Sequence, residues 1–197
     1  MQLFIGVDEA GRGALAGPVS VGAVLYPKDF DWKEAFRLVT KRGEVKLRDS
    51  KKLLPAQREV LYEYIENQPR LKYACALVDA TTIDSIGIVP ATHRAAMLAV
   101  AKLETAPNEV CVLLDAGLKL GEEWTQESFV RGDENIPAIA LASIVAKVTR
   151  DRYMEQISSD HVGYDFAVHK GYGTAAHRSA IREKGMINGF HRRSFIH

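Results

Sequence analysis

Three apolar runs in this chain, Leu3 to Val7, Val110 to Leu114 and Phe129-Val130, each give way to an acidic residue: Asp8 with Glu9, Asp115, and, after Gly132, Asp133. A carboxylate buried without a partner is costly, so the repetition restricts the folds this chain can adopt. If the first two runs are neighbouring parallel strands, Asp8 and Asp115 project from equivalent levels, and the turn at Asp133 closes the third side. One strand-end Asp is ordinarily a turn or helix-cap residue. Four converging acids instead repel one another until cations are bound. A set of oxygen ligands with no Cys or His suits Mg²⁺ or Mn²⁺ better than zinc. Two such ions held roughly 4 Å apart can activate a water and stabilise the leaving oxygen of an in-line phosphoryl displacement.

Gly11-Arg12-Gly13 follows the first acids directly. The glycines free the backbone to approach a ligand closely, and Arg12 offers a planar fork suited to phosphate oxygens. Gly17-Pro18 forbids a helix directly after this loop, so Val19 to Tyr26 reads as a strand and a hairpin or meander opens the fold. Pro55 with Val60, Leu61, Tyr64 and Ile65 reads as a helix with proline in its first turn, and Tyr73 to Val78 as a strand. Alanine-rich Thr92 to Leu103 reads as a helix able to pack closely on a sheet. Unbroken hydrophobicity from Val110 to Leu114 implies cover on both faces, as in a central parallel strand. Leu141, Ile144, Val145 and Val148 recur at helical spacing in a long segment toward Ile157. Glycine turns at Gly163 and Gly171 to Gly173, a short helix near Ala175 to Glu183 and an aromatic-basic end complete the chain. This is the pattern of an α/β protein, a mixed sheet flanked by helices. The expected organisation is one domain overall, with residues 1–158 as the core and 159–197 as a helical, basic extension packed on it.

At 197 residues and 47% hydrophobic, the chain can bury one substantial core and not two large ones. No run approaches a membrane span, and a strand pattern begins at Leu3 without a cationic leader, which predicts a soluble, cytoplasmic protein with no membrane association. Cys75 and Cys111 sit inside apolar runs and read as buried thiols, which fits a reducing compartment. Net charge is only +1, but residues 161–197 carry six Lys or Arg against Asp165 and Glu183, a surplus of +4 that leaves −3 elsewhere. A second basic cluster runs from Lys41 to Lys52. Such runs are either solvated faces or polyanion contacts, and the acidic motifs favour nucleic acid.

The chain resembles the ribonuclease HII family. The resemblance is carried by Gly6-Val7-Asp8-Glu9-Ala10-Gly11-Arg12-Gly13, Arg48-Asp49-Ser50-Lys51-Lys52-Leu53, Leu113-Leu114-Asp115, Gly132-Asp133 with Ala142 to Asp151, and His169-Lys170-Gly171-Tyr172-Gly173-Thr174, in the family's order and across nearly the whole length. It implies a ribonuclease H-like fold with a helical C-terminal extension. It also implies endonucleolytic cleavage of RNA in RNA/DNA hybrids and of duplex DNA containing single ribonucleotides, cut on their 5′ side. Carried over to this sequence, it makes Asp8, Glu9, Asp115 and Asp133 the catalytic, metal-binding acids for Mn²⁺ or Mg²⁺. Gly11, Arg12 and Gly13 would read the ribose 2′-OH and flanking phosphate, and Tyr172 would pack near the sugar at the RNA to DNA junction. A 2′-OH is what distinguishes RNA from DNA, and glycine-freed main chain can bond to it. The sequence departs from the family pattern at Ala14, where proline is usual, and at Ala116-Gly117-Leu118. The sister ribonuclease HIII normally carries an extra N-terminal domain, whereas here the motif begins at residue 8. There is no clear clamp-binding tail, and a monomer is the simplest expectation.

Rival readings discriminate themselves. Gly11 to Ala16 also fits a loose dinucleotide fingerprint, but that site needs a helix next and its phosphates would meet Asp8 and Glu9. A non-catalytic RNA/DNA hybrid-binding module explains Arg12, Tyr172 and the basic tail but not the acids. Another nuclease or integrase of the same fold would share the acids and differ in the loops. His169 and His177 have no strong ligand spacing and read as ordinary polar residues, while Lys51, Lys52 and Lys147 are either phosphate contacts or surface residues.

Overall fold

The computed structural model describes residues 2–37 and 53–196. Five strands form one sheet in the order β3-β2-β1-β4-β5: β1 (Leu3–Ala10), β2 (Val19–Pro27), β3 (Lys72–Val78), β4 (Val110–Asp115) and β5 (Thr125–Phe129). The chain opens as an antiparallel meander, β1 on β2 and β2 on β3, and then switches to parallel pairing, β4 beside β1 and β5 beside β4. The loop after β1 is thus a strand-to-strand connection, as Gly17-Pro18 requires.

Eight helices accompany the sheet among the described residues: α1 (Lys33–Arg37), α2 (Pro55–Asn67), α3 (Ala80–Ile86), α4 (Ile88–Ala101), α5 (Gly132–Asn135), α6 (Pro137–Ser158), α7 (Phe166–His169) and α8 (Ala175–Lys184). The alanines of α4 pack with Ile5, Val7, Val21 and Val112 on one face of the sheet. The other face is covered by α6, with Leu61 and Ile65 of α2 joining the same cluster. Gly6 and Gly22 let α6 lie directly on β1 and β2: a Cβ at either would run into the backbone of Ala138 or of Ala142 and Ala146. Close approach explains why α6 is buried continuously from Ala138 to Ala146 rather than along one stripe.

Three expectations need correction. β4 is parallel, but α6 lies over β1 and β2 and barely reaches it, so Cys111 and Leu113 are half-buried where cover on both faces was expected. Phe129-Val130 is not a buried run: β5 is an edge strand and Val130 is 80% exposed. The alanine-rich helix begins at Ile88 rather than Thr92, with Pro90 in its first turn, where no intrahelical N–H bond is lost. Both cysteines are free thiols, half-buried, and burial pushes Cys75 up to about 11.

Beyond Ser158 the chain forms its own cluster, Tyr164, Phe166, Ala180 and Phe190 closing on Ala16 and Met154. The +4 surplus of this segment is not all surface charge, because Arg192 is completely buried and Lys170 pairs with Glu155 at 2.7 Å. The Lys41 to Lys52 cluster lies outside the described residues. No described helix is long and apolar enough to cross a membrane.

Candidate active site

The register that pairs Val7 with Leu114 places Asp8 and Asp115 side by side just past the point where the β1–β4 pairing ends. Carboxylate oxygens of Asp8, Glu9 and Asp115 lie within 4.8 Å of one another. Burial, reinforced by the charges of Glu9 and Asp115, pushes Asp8 well above the ordinary carboxylate value, although Ser143 of α6 and the Glu9 N–H hydrogen-bond to it. Asp133 stands outside this group of three. It is buried in the first turn of α5, tied in by Gly132, whose N–H donates to Asp115 Oδ1 at 2.8 Å.

A cavity of about 470 Å³ opens beside the acids, lined by Glu9 to Gly13, Arg58, Lys147 and Tyr172. Arg12 joins loop to acids through Glu9, Nη1 to Oε1 at 3.3 Å. Gly11 has φ +85°, and a Cβ there would collide with the Arg150 side chain, so the fold itself demands glycine. Gly13 differs: a Cβ there meets nothing within 4 Å. The sequence departures are accommodated. Ala14 supplies an N–H to Gly11 O (3.3 Å) that proline could not, and it bridges to Tyr172; a Cβ at Gly117 would come within 3.3 Å of Arg12 Nη1. Tyr172 forms the opposite wall, with Lys147 Nζ 5.4 Å and Arg150 Cζ 5.3 Å from its ring centroid.

The ribonuclease HII family model matches residues 5–197. A ribonuclease HII of Dehalococcoides mccartyi is 45% identical over 98% of this chain and 85% of its own length. The chain belongs to the ribonuclease HII family. The crystal structure of ribonuclease H2 from Pyrococcus horikoshii OT3 superposes with a TM-score of 0.75 at 25% identity, covering 99% of this chain and 94% of that one. A Bst ribonuclease HIII structure, solved in complex with Mn²⁺, shares the fold with a TM-score of 0.71 at 18% identity, over 99% of this chain and 67% of that one. As a ribonuclease HII, the protein is a metal-dependent endoribonuclease of the ribonuclease H-like fold acting on RNA/DNA hybrids.

The residues present suit a hard divalent cation. Every donor in the group is a carboxylate oxygen, and Glu9 Oε2 is buried with no hydrogen-bond partner among the described residues, an arrangement a cation would complete.

Sequence reasoning passed over the groups that hold this ribonuclease HII loop in place. Arg150 donates from Nε to Pro18 O (2.8 Å), from Nη1 to Lys170 O (2.8 Å) and from Nη2 to Ala16 O (3.1 Å). Arg192 donates from Nε to Gly17 O (2.9 Å) and from Nη1 to Arg12 O (2.9 Å). Burial, and then the nearby Arg150 charge, push Arg192 down to about 9. Arg150 sits in the polar half of α6, beside Lys147, Asp151 and Arg152, so composition gives no sign that it is buried. Arg192, within a basic tail, has no local signal. His169 and His177 make the polar contacts expected of them, to Tyr164 O, the Gly171 N–H and Tyr172 O, but they do so buried and with their rings stacked at 4.3 Å. Lys147 is neither loose nor solvated: it pairs with Asp151 at 2.8 Å and lines the cavity. Lys51 and Lys52 lie outside the described residues.

Proposed function

We propose that this protein cuts on the 5′ side of a ribonucleotide, both within RNA/DNA hybrids and at single ribonucleotides embedded in duplex DNA. The observation that carries the reading is the cluster of Asp8, Glu9 and Asp115, whose member Glu9 lines the same cavity as the glycine loop and Tyr172. Asp8, Glu9 and Asp115, with Asp133 on the adjoining turn, would hold Mn²⁺ or Mg²⁺. Bound there, the ions would supply positive charge that favours deprotonation of the attacking water and offsets charge developing on the phosphate oxygens.

The protein's own groups bind and align. Main-chain groups of Gly11, Arg12 and Gly13 meet the 2′-OH, and the Arg12 guanidinium meets the flanking phosphate. The open space at Gly13 supports this, because nothing in the fold requires glycine there, whereas a substrate approaching the backbone does. Tyr172 presents its ring to the sugar that follows, favouring deoxyribose at that position. Water oxygen forms the new bond to phosphorus, the bond from phosphorus to the 3′ oxygen breaks, and that oxygen takes up a proton, which leaves a 5′ phosphate on the ribonucleotide.

The test is a labelled duplex containing one ribonucleotide, incubated with Mg²⁺, Mn²⁺ or chelator. Metal-dependent scission immediately 5′ of the ribonucleotide is the expected result. An intact strand, with a long hybrid cut under the same conditions, would remove the embedded-ribonucleotide reading.

A further inference from the structure

The C-terminal segment is stitched to both substrate-facing elements. The Gly17 N–H donates to Phe190 O (2.9 Å), the Arg192 N–H donates to Leu15 O (2.8 Å), and Ala16 bridges to His191. Asp84 of α3 anchors the far end, accepting hydrogen bonds from the Arg193 and Ser194 N–H groups and the Ser194 hydroxyl. From this anchored strap Arg192 reaches the carbonyls of Arg12 and Gly17.

His191 reaches the other wall. The Ile187 N–H donates to His191 Nδ1 (2.8 Å), which leaves the ring proton on Nε2; that group donates to His177 Nε2 (3.1 Å), and His177 Nδ1–H donates to Tyr172 O (3.0 Å). Each ring nitrogen in this relay has one role, so the order of donors is set from strap to Tyr172.

A buried guanidinium whose hydrogen bonds go to carbonyls rather than a carboxylate is an expensive way to fill space, and well-packed apolar side chains would do that better. Its evident effect is directional. With the Arg12 and Gly17 carbonyls turned toward Arg192, the Arg12 and Gly13 N–H groups make no hydrogen bond to another described residue and stand beside the cavity.

We propose that the strap from Ile187 to Arg192 is the positioning element of substrate selection, with Arg192 setting the main-chain directions of the glycine loop and the His191–His177 relay setting Tyr172. The proposal rests on the reading of Gly11 to Gly13 and Tyr172 given above. Arg192 and His191 act through those residues and touch no substrate.

Arg192→Lys keeps the charge but cannot span both carbonyls, and His191→Gln keeps a donor for His177 while losing the acceptor for Ile187. Both are compared with Arg12→Ala by steady-state kinetics on a duplex with one ribonucleotide and on a continuous hybrid, well below each variant's Tm, alongside calorimetric Mn²⁺ titration. Arg192→Lys should lower kcat on the single-ribonucleotide duplex by about tenfold or more, as a small misplacement does, with KM and Mn²⁺ affinity nearly unchanged. His191→Gln should shift in the same direction by less. The continuous hybrid should suffer less in both, since each register along it offers a 2′-OH.

Wild-type kcat in both variants with only a lowered Tm overturns the proposal, as does a loss of Mn²⁺ affinity that matches the loss of rate. Loss in Arg12→Ala without loss in Arg192→Lys removes the strap and leaves the loop reading standing. Wild-type kcat in Arg12→Ala removes the guanidinium's phosphate contact, and wild-type kcat in Gly13→Ala as well removes the loop reading itself. Amide exchange on the chelated wild-type protein needs no variant: bound duplex should slow exchange at Leu15, Gly17 and Arg192 together, and protection confined to the loop would overturn the strap's role.

Discussion

At the ends of β1 and β4, three acids face one another with Glu9 Oε2 left without a partner, whereas behind the glycine loop Arg150 and Arg192 turn their N–H groups onto main-chain carbonyls, with Arg192 Nη2 alone of those groups unbonded among the described residues. Both regions remove charge from water at a cost. The acids recover only part of that cost, through Arg12 on Glu9 and the Glu9 and Gly132 N–H groups, and their mutual repulsion leaves room for a cation. The arginines recover much of it through hydrogen bonds, and the result is a loop of defined shape rather than a binding site. What tells the two regions apart is what the charge faces: carboxylate oxygens face one another in the first, which suits a cation, and guanidinium N–H groups face carbonyl oxygens in the second, which fixes a loop.

Substitutions can break that contrast. Asp115→Asn should lower cleavage by about a thousandfold, the scale of several kcal/mol of lost transition-state stabilisation, while affinity for a hybrid in a gel-shift assay stays within a few fold. Equal loss of binding and cutting would show that Asp115 is scaffold. Tyr172→Ala should lower kcat at an isolated ribonucleotide by ~10–100-fold, as expected of an alignment residue, with a smaller change in affinity. Unchanged turnover would remove Tyr172 from the site.

Gly13→Ala sharpens the distinction between a glycine with open space beside it and one that the fold requires, as at Gly11. Stability should stay within about 0.5 kcal/mol of wild type in urea denaturation, as for a surface change, while turnover on a single ribonucleotide falls about tenfold through misplacement of the substrate. A large drop in stability would assign Gly13 to the fold, as for Gly11.

Asp8→Asn tests the open region thermodynamically. The folded carboxyl of Asp8 is raised from its ordinary 3.8, so the stability it lends is complete below 3.8 and is lost as pH rises through the raised value. In chelator at pH 8, the variant should therefore have a higher Tm than wild type, because the repulsion on the buried carboxylate is relieved, though it is inactive. Destabilisation would show that the acids are structurally satisfied without metal.

The closed region titrates with the opposite sign. Burial, then the neighbouring His177, hold His191 down at about 4 from 6.5, and burial lowers His177 as well. Stability from these neutral rings is present above pH 6.5 and is lost as pH falls toward about 4. His161 and His169 also face His191 and favour its neutral form. The Tm of chelated wild type should fall over that interval more steeply than that of His191→Gln; parallel curves would place the acid sensitivity elsewhere.

Much of the acid site was legible because it is local. An apolar strand that stops at a carboxylate can be read in six residues, and the β1–β4 register then brings Asp8 to Asp115 without further information. The third run misled because Phe129-Val130 has the composition of a strand core but lies where β5 runs along the sheet edge, leaving Val130 in solvent. Lys147 was ambiguous for a related reason, since only its pairing with Asp151 and its place beside Tyr172 distinguish it from surface charge.

By itself the amino-acid order determined the mixed α/β sheet, the gathering of acids at strand ends and the glycine loop beside them, because hydrophobic period, chain-breaking residues and the cost of buried charge all act over short stretches. Tertiary structure alone decided that Arg192 is bonded to the glycine loop and that His191 reaches Tyr172 through His177. Arg192 bonds to partners 175 and 180 positions away, and no local pattern encodes which distant carbonyl a long flexible side chain will meet once the core has excluded water around it.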